Sequence, residues 1–180
     1  MTIRYLPLHG KSIREHLNEI ADLRISVFRE YPYLYDGDLE YEREYLATYF
    51  QSPHAMVVLC RIGGQTVGAT SCIPLRDEDW AFREPLESAG YEVSRIFHFG
   101  ESVLKAPYRG RGIGRRFFAL REEYAASFHP RPQHLAFCSV ERSPSDPRRP
   151  ADYRPLDSFW QRLGYRLHPT LRAHFKWKEI

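Results

Sequence analysis

Residues 102–128, SVLKAPYRGRGIGRRFFALREEYAASF, decide the fold, because a strand-like segment runs into a glycine-rich turn and the turn opens a helix. Beyond the turn, apolar side chains recur at spacings of three and four residues, which keeps one helical face apolar. The side chains of that face are Ile113, Phe117, Leu120, Tyr124 and Phe128. The pattern therefore predicts an amphipathic helix that begins at the turn.

The turn has the composition of an anion-binding site. The start of a helix carries unpaired backbone N–H groups and the positive end of the helix dipole. Small residues there let an oxygen ligand approach closely, and Gly112 and Gly114 supply them. Four arginines crowd the same place, namely Arg109, Arg111, Arg115 and Arg116. The sequence therefore predicts a ligand that carries phosphate.

Two common phosphate-binding motifs do not fit this stretch. The loop of nucleotide hydrolases needs a lysine followed by a hydroxyl residue after its last glycine, and neither follows here. The dinucleotide fingerprint is G-x-G-x-x-G, whereas Gly110, Gly112 and Gly114 give G-x-G-x-G. An ordinary helix start or an arginine–glycine RNA-binding tail is the plainer alternative, and the flanking strand and helix argue against the tail.

The segment Arg109-Gly110-Arg111-Gly112-Ile113-Gly114 resembles the [Q/R]-x-x-G-x-[G/A] acyl-CoA motif of the GNAT superfamily of N-acetyltransferases. The resemblance implies acetyl-CoA as cosubstrate and no metal. It implies that the turn binds the pyrophosphate and that the preceding strand binds the pantetheine arm. The expected coenzyme-binding residues are Ser102, Val103, Leu104, Arg109, Gly110, Arg111, Gly112, Ile113, Gly114 and Arg115.

Composition is consistent with one globular domain over residues 1–180. Hydrophobic residues make up 43% of the chain and charged residues 27%, and the formal net charge of +3 is too small to indicate a nucleic-acid partner. No stretch reaches membrane-spanning length, so we expect a cytoplasmic protein without a membrane contact. We expect three buried free thiols, at Cys60, Cys72 and Cys138.

The remaining pattern predicts an α/β (or α+β) domain with a central mixed, twisted sheet flanked by helices, which is also the order of the GNAT fold. Ser12 and Glu15 indicate a capping box, Gly63-Gly64 a hairpin turn, and Gly100 a bulge. Residues 76–91 are predicted to be an irregular excursion that could include one helical turn. The expected strands are 3–6, 56–62, 65–75, 92–104, 135–140, 165–168 and 173–178, and the expected helices are 12–31, 39–50, 113–128 and 156–163. The second helix is expected to face inward with Leu39, Leu46, Tyr49 and Phe50, and the last helix to end at Gly164.

Two of these strands carry further expectations. Residues 135–140, LAFCSV, have the continuous apolar character of a central strand buried on both faces, parallel to its predecessor. The closing strands could pair across a homodimer.

Residues 159–165, FWQRLGY, resemble the late helix of the GNAT family, although Trp160 stands where the family has the tyrosine that protonates the leaving thiolate. Tyr153, just before this helix, remains a catalytic candidate in its place.

The strand before the turn holds the candidates for the general base, as the resemblance implies. Glu101 could deprotonate the acceptor amine directly or through a water, with His98 as relay or rival. Either side chain could instead be structural: His98 a satisfied core histidine, and Glu101 a partner of the kink at Gly100. Strict alternation would place residues 98 and 101 on opposite faces, so both can serve only if the bulge is present.

The loop after the first long helix is expected to line the acceptor site, and its aromatic rings would suit a cationic or aromatic amine. The alternative is that these rings pack against the sheet. The residues are Tyr31, Tyr33, Tyr35 and Asp36. Three arginines of the later proline-rich loop could contact an anionic acceptor or simply be solvated, namely Arg142, Arg148 and Arg149. Cys138 is not expected to be a nucleophile, because no His–Asp pair accompanies it in the sequence.

The resemblance and the residues together indicate an acetyl-CoA-dependent N-acetyltransferase that acts on the primary amine of a small molecule by direct attack in a ternary complex. The alternative is a non-catalytic GNAT-like module that binds acyl-CoA as a sensor or docking signal, which the loss of the tyrosine at Trp160 would allow.

Overall fold

The computed structural model describes residues 2–180 and contains one five-stranded sheet with helices on both faces. Its elements are β1 (Ile3–Leu8), α1 (Lys11–Glu15), α2 (Leu17–Phe28), α3 (Leu39–Gln51), β2 (Met56–Ile62), β3 (Gln65–Pro74), α4 (Trp80–Ser88), β4 (Ile96–Leu104), α5 (Ile113–Ala126), β5 (His134–Ala136) and α6 (Asp157–Arg162). The strands lie in the order β1-β2-β3-β4-β5. The first four pair antiparallel, whereas β4 and β5 pair in parallel.

The two faces of the sheet have separate cores. On one face α2 and α3 cover Val57, Leu59 and Ile73. On the other face α5 covers Phe97 and Phe99, and its own Phe118 packs among them. The amphipathic face predicted for this helix is confirmed, because Ile113 and Phe117 are buried and Leu120, Tyr124 and Phe128 are half-buried. The mixed sheet between helical layers that the sequence predicts is therefore present.

Several local predictions are also confirmed. Gly63 and Gly64 have φ angles of 59° and 83°, as the hairpin between β2 and β3 requires. The predicted helix over residues 39–50 is present as α3, and Asp38 caps it by accepting hydrogen bonds from the Glu40 and Tyr41 N–H groups. Gly164 follows α6 with φ of 92°, the left-handed conformation of a helix-terminating glycine.

The predictions for the first three helices need three corrections. The capping box is absent, because α1 begins at Lys11 and the Ser12 hydroxyl bonds to the backbone of His9 instead of a helical N–H. His16 interrupts the first helix, so α1 and α2 are separate. Leu39 is exposed rather than buried, because it is the first residue of α3, and Glu42 occupies the buried position one turn later.

The segment predicted to be irregular contains the nine-residue helix α4. Asp79 caps it by accepting a hydrogen bond from the Ala81 N–H, and Pro85 lies within it. The helix buries none of its residues, and the proline within it is a residue that normally indicates a break in a helical pattern. The sequence feature that could have revealed this helix is its capping residue, Asp79.

The end of the sheet differs most from the prediction. The strand is limited to His134–Ala136, and residues 137–140 are half-buried or exposed, because no further strand covers this edge. The closing strands are not formed. Instead, the tail bonds to the aromatic loop: Asp36 N–H donates to Lys178 O at 2.8 Å and Ile180 N–H to Leu34 O at 3.0 Å. Strands on which a homodimer could pair are therefore missing from residues 165–178, and the homodimer stays a prediction.

Cys60 and Cys72 are buried free thiols, as predicted, but Cys138 is exposed. The prediction was wrong for Cys138 because the strand that would have buried it ends two residues earlier. Within residues 2–180, no helix is both long and apolar enough to cross a membrane.

Candidate active site

The turn before α5 leaves the first backbone N–H groups of the helix without a side-chain cap. Gly110 and Gly112 have φ angles of 76° and 79°, and a Cβ built on either would meet nothing within 4 Å. The first helical hydrogen bond runs from Arg116 N–H to Gly112 O, so the N–H groups of Ile113, Gly114 and Arg115 have no partner earlier in the helix. The turn can therefore receive an anion at the positive end of a fourteen-residue helix.

The arginines of the turn have two roles: Arg109 holds the turn in place, and Arg111 and Arg115 present their charge to solvent. Arg109 braces it, since its Nε donates to Leu104 O at 3.0 Å and its Nη1 lies 2.8 Å from Glu30 Oε2. Arg111 lies against the Tyr108 ring and donates to Pro107 O at 3.1 Å. Both Arg111 and Arg115 are exposed, so their charge faces solvent beside the helix start. This charge would attract a phosphate.

A gap opens between β4 and β5 next to this turn. In the part of the chain that the structure describes, the two strands pair only from Ile96↔His134 to His98↔Ala136. Further along β4, Lys105 N–H donates to Val67 O of β3 at 2.9 Å. Alternation along the strand then directs the Leu104 N–H to the opposite edge, towards the gap. An extended ligand arm could add to β4 there.

The coenzyme can contact the other two predicted residues of β4, Ser102 and Val103, mainly through their backbone groups. Val103 is buried in the α2–α3 core. Ser102 is exposed, and its hydroxyl lies 2.9 Å from the Thr70 hydroxyl.

The bulge predicted at Gly100 is present. Opposite Thr70–Cys72 of β3, β4 carries one extra residue, because Thr70 pairs with Ser102 and Cys72 with Phe99. The extra residue cancels the alternation that would otherwise separate the side chains of residues 98 and 101. Both side chains accordingly lie on the α2–α3 side of the sheet: Glu101 contacts Tyr45 of α3, and His98 contacts Glu78, which is bonded to Tyr49 of α3.

Glu101 lies in a buried charge cluster. Its Oε2 is 2.6 Å from Arg24 Nη1 and accepts a hydrogen bond from the Tyr45 hydroxyl at 3.2 Å. Arg24 also donates from Nε to Glu42, so two carboxylates share one guanidinium. Burial disfavours the charge on Arg24, but Glu101, Tyr45 and Glu42 outweigh this effect and raise its pKa. Glu101 is 7% exposed, and its role as general base stays a prediction.

His98 is held from one side by Glu78. Its Nδ1 lies 3.1 Å from Glu78 Oε2, and both side chains are buried. Burial opposes protonation of His98, but contacts with Cys138 and Glu78 outweigh it and raise the pKa to about 9. A histidine that is protonated at neutral pH is poorly suited to accept a proton from an ammonium group and better suited to donate one.

The aromatic loop brings further predicted residues to the same place. Burial raises the pKa of the Tyr33 hydroxyl to about 12, and Arg24 opposes this shift. The Phe28 ring packs on the Tyr33 ring with centroids 4.2 Å apart, and the Arg24 guanidinium that pairs with Glu101 lies 5.1 Å from the centre of the Phe28 ring. The Tyr31 ring packs edge-on against the Tyr153 ring at 4.6 Å. The structure therefore links Tyr33 to Glu101 through Phe28 and Arg24, and it brings Tyr31 into contact with Tyr153.

Two residues predicted to bind substrate are engaged elsewhere. Tyr35 is buried against α3, where burial and Glu42 raise the pKa of its hydroxyl. Asp36 forms ion pairs with Lys178 at 2.5 Å and with Arg29 at 3.3 Å. Hydrogen bonding to Lys178 lowers the pKa of Asp36, so the carboxylate is ionised but already has cationic partners.

An open cavity of about 450 Å³ lies beside Tyr33, to which its lining residue Trp177 is hydrogen-bonded. Its walls come from the segment after β5 and from the tail, and its lining residues are Val140, Glu141, Arg142, Phe175, Lys176, Trp177 and Glu179. Trp177 is fixed by a hydrogen bond from its Nε1 to Tyr33 O at 2.9 Å. Arg142 of the proline-rich loop lies 2.6 Å from Glu179 and is therefore part of this wall.

Sequence reasoning missed Arg24, Glu42, Glu78 and Trp177. Two of them left a signal: Arg24 falls between Ile20 and Phe28 in the apolar period of α2, and Glu42 lies four residues before buried Leu46. A charge within an apolar period indicates a buried partner. Glu78 and Trp177 lay in segments without a clear period and left none. Among residues 2–180 no group of three or more metal-binding side chains occurs.

No protein-family model and no curated protein matches the sequence. Solved structures do match, at low identity. The aminoglycoside 6'-N-acetyltransferase AAC(6')-Ih from Acinetobacter baumannii is 16% identical, with a TM-score of 0.61 and 99% of each chain covered. AAC(6')-Iy, solved with the bisubstrate analogue CoA-S-monomethyl-acetylneamine, is 16% identical, with a TM-score of 0.57 and 100% of each chain covered.

A third match is a possible acetyltransferase from Clostridium difficile 630, which is 10% identical with a TM-score of 0.63. The match covers 100% of the present chain and 99% of that one. Agreement over the whole length at such identities establishes the architecture: the chain has the fold of the GNAT superfamily of N-acetyltransferases.

Proposed function

We propose that the protein is an acetyl-CoA-dependent N-acetyltransferase that acts on the primary amine of a small molecule. The observation that carries the proposal is the turn at Gly110–Gly114, with its free N–H groups, its exposed arginines and the gap in the sheet beside it. These three features match the three parts of acetyl-CoA: pyrophosphate, adenosine phosphate and pantetheine arm. The GNAT fold supports this proposal, and so does the coenzyme A bound in one of the matching AAC(6')-Iy structures.

In this proposal each group of residues has its own task. The N–H groups of Ile113, Gly114 and Arg115 bind the pyrophosphate, and Arg111 and Arg115 add charge. The backbone of residues 102–104 holds the pantetheine arm, and the Leu104 N–H donates to the thioester oxygen. Positioning of the two substrates supplies much of the rate.

We place the acceptor amine in the cavity beside Trp177. The cavity is next to the end of β5 and to Tyr33, so an amine there lies close to the gap that would hold the thioester. Its aromatic wall, Phe175 and Trp177, suits a cationic or ring-bearing amine. The aminoglycosides in the names of two matching proteins are amines of the cationic kind.

Calorimetric titration with acetyl-CoA is the first test, and we expect saturable binding with one site per chain. Release of coenzyme A is then followed by chromatography against a panel of primary amines that includes aminoglycosides. Amine-dependent release is expected for an acetyltransferase. Binding without turnover against any amine would favour the acyl-CoA sensor, which Trp160 at the family's tyrosine position also allows. Absence of binding at millimolar acetyl-CoA would reject both functions.

A further inference from the structure

The acceptor cavity beside Trp177 has a basic wall. Its lining residues belong to two segments, 140–149 and 172–179, which together contain six basic and three acidic side chains. The acidic residues are Glu141, Asp146 and Glu179, and the basic residues are Arg142, Arg148, Arg149, Arg172, Lys176 and Lys178. A cleft in which one sign of charge is in excess attracts ligands of the opposite sign.

The three carboxylates of this wall are already paired. Glu179 accepts from Arg142 at one oxygen and from Arg148 at the other, each at 2.6 Å, and hydrogen bonds from these arginines lower its pKa. Asp146 binds Arg148 with both oxygens, at 3.1 Å each. Glu141 pairs with an arginine of the tail. Among residues 2–180, the wall therefore has no unpaired carboxylate for an acceptor with several positive charges.

Arg142 is a fixed cation with unused donors. Its Nε donates to Pro32 O at 2.7 Å, and its Nη2 donates to Tyr33 O at 3.0 Å and to Glu179 at 2.6 Å. These bonds occupy three of the five N–H groups of a guanidinium, and among residues 2–180 no bond involves Nη1. The side chain is 16% exposed and lines the cavity beside Trp177, which donates to the same oxygen of Tyr33. An arginine held in this way can bind an anion with little further loss of conformational freedom.

Lys176 brings a second positive charge to the cavity lining. The ion pairs that the structure describes in the tail involve Arg172, Lys178 and Glu179, but not Lys176. Its two neighbours in the sequence are the aromatic residues of the same wall. The cavity therefore combines positively charged donors with aromatic rings, which suits an acceptor that has an anionic group and an apolar part.

We propose that the acceptor is a primary amine that also carries an anionic group, as an amino acid does, and that Arg142 and Lys176 bind this group. The proposal rests on the proposed acetyl-CoA-dependent activity and narrows its acceptor from cationic or ring-bearing amines to zwitterionic ones. The amine is directed to the gap beside β4, and the apolar part of the acceptor packs on Phe175 and Trp177. A polycation is a poor acceptor, because it adds repulsion to a wall whose carboxylates are occupied. Of the two uses open to the arginines of the proline-rich loop, contact with an anionic acceptor therefore applies to Arg142.

The decisive measurement compares acceptors that differ only in the anionic group. Release of coenzyme A is measured with tryptophan against tryptophanamide, with phenylalanine against phenylalaninamide, and with phosphoethanolamine against ethanolamine. The anionic member of a pair should have a kcat/KM about tenfold to a hundredfold higher, which is the effect of hydrogen bonds to a charged group. For the amino acids the difference in basicity works against this result, because the amine of the amide is less basic and is more often neutral. Amides or aminoglycosides that are better acceptors than every anionic amine overturn the proposal.

Reversal of one charge tests the site itself. Lys176→Glu should lower kcat/KM for the preferred anionic acceptor by about tenfold or more and leave the value for its uncharged partner unchanged. Amine basicity is the same for both proteins, so it cancels in this comparison. Lys11→Glu is the matched control and should leave both values unchanged, since Lys11 is exposed and lies outside the cavity lining. An equal preference for the anionic acceptor in Lys176→Glu and in the wild type would overturn the binding role of this lysine.

Arg142→Gln removes the fixed guanidinium and should reduce the preference for the anionic acceptor to a similar extent. The substitution also breaks the bonds to Pro32 and Tyr33, so circular dichroism is used to check that the variant is folded. A folded Arg142→Gln protein with the wild-type preference contradicts the assignment of Arg142. If the variant does not fold, the comparison of Lys176→Glu with Lys11→Glu decides.

Calorimetric titration with acetyl-CoA separates failure of this proposal from failure of the activity on which it rests. Binding of acetyl-CoA together with a preference for amides or aminoglycosides would reject the zwitterionic acceptor and leave the acetyltransferase intact. Binding without turnover of any acceptor would remove the acceptor site and favour the acyl-CoA sensor. Absence of acetyl-CoA binding would reject the activity itself and the acceptor proposal with it.

Discussion

Glu78 Oε2 and His98 Nδ1 lie 3.1 Å apart in a part of the core where neither side chain is more than 4% exposed. The pair couples the folded state to pH. His98 has a pKa of about 9 in the folded protein, above its ordinary value of 6.5. A group whose pKa is raised by folding stabilises the protein fully below its unfolded pKa, and that stability is lost as pH rises through the folded pKa.

We therefore expect the free energy of unfolding to fall between about pH 6.5 and pH 9 by a few kcal/mol. Urea titrations at several pH values measure this slope. The Glu78→Gln variant should be less stable at pH 6 and should show a flatter dependence, because the imidazolium loses its carboxylate. An equal slope in the variant and the wild type would show that other groups cause the pH dependence.

Gly112→Asp should abolish acetyl-CoA binding, because it adds a negative charge where the pyrophosphate is proposed to bind. The substitution also forces a side chain into the left-handed region, since φ of Gly112 is 79°. Gly64→Asp is the matched control: φ there is 83°, a Cβ would also meet open space, and the hairpin turn is far from α5 along the chain. Calorimetric titration should show normal binding for the control. Equal binding in both variants would place the pyrophosphate elsewhere.

Glu101→Gln should keep acetyl-CoA binding and lower turnover by about a hundredfold to ten-thousandfold if Glu101 is the general base. The deficit should shrink as pH rises, because more of the amine then arrives neutral. Glu42→Gln is the matched control, since Glu42 is bound to the same guanidinium and buried in the same cluster. A similar loss in both variants would mean that the charge cluster, rather than one carboxylate, determines the rate.

Gly100→Ala should destabilise the protein by about 1–3 kcal/mol or more. A Cβ at this position would fall 2.0 Å from the Tyr49 hydroxyl and 2.5 Å from the Ser71 hydroxyl. Adding Tyr49→Phe should restore part of the lost stability, because it removes the nearer of these oxygens. Urea unfolding of the two single variants and the double variant measures this coupling. Additive losses would show that the space at Gly100 is not limited by Tyr49.

The parts of the fold that follow from local periodicity could be predicted from the sequence, and those that depend on partners could not. The turn at Gly112, the hairpin at Gly63-Gly64 and the bulge at Gly100 are set by backbone conformations that favour glycine, so a single residue type reveals them. Residues 135–140 were predicted to form a central strand because their apolar character indicates burial, but it does not identify the element that would cover them, and the strand ends at Ala136.

The same distinction applies to the candidate site: parts formed by consecutive residues could be predicted, and parts assembled from distant residues could not. The coenzyme turn could be predicted because it is contiguous. The pair Glu78–His98 and the cluster around Arg24 could not, because their partners are separated by eighteen to seventy-seven residues and meet only through the sheet and its helices. Arg24 was detectable as a charge in an apolar period, but nothing in the sequence identified Glu101 as its partner.

The extra residue in β4 also affects how related sequences are compared. Counting back from the glycine turn identifies the face of each side chain only as far as Glu101, and beyond Gly100 the count is displaced by one. A relative that lacks the bulge would show the residue aligned with His98 on the opposite side of its sheet. Equivalence with His98 is therefore decided by pairing with Ile73 of β3, because two sequences can match letter for letter here while presenting different chemistry to the cleft.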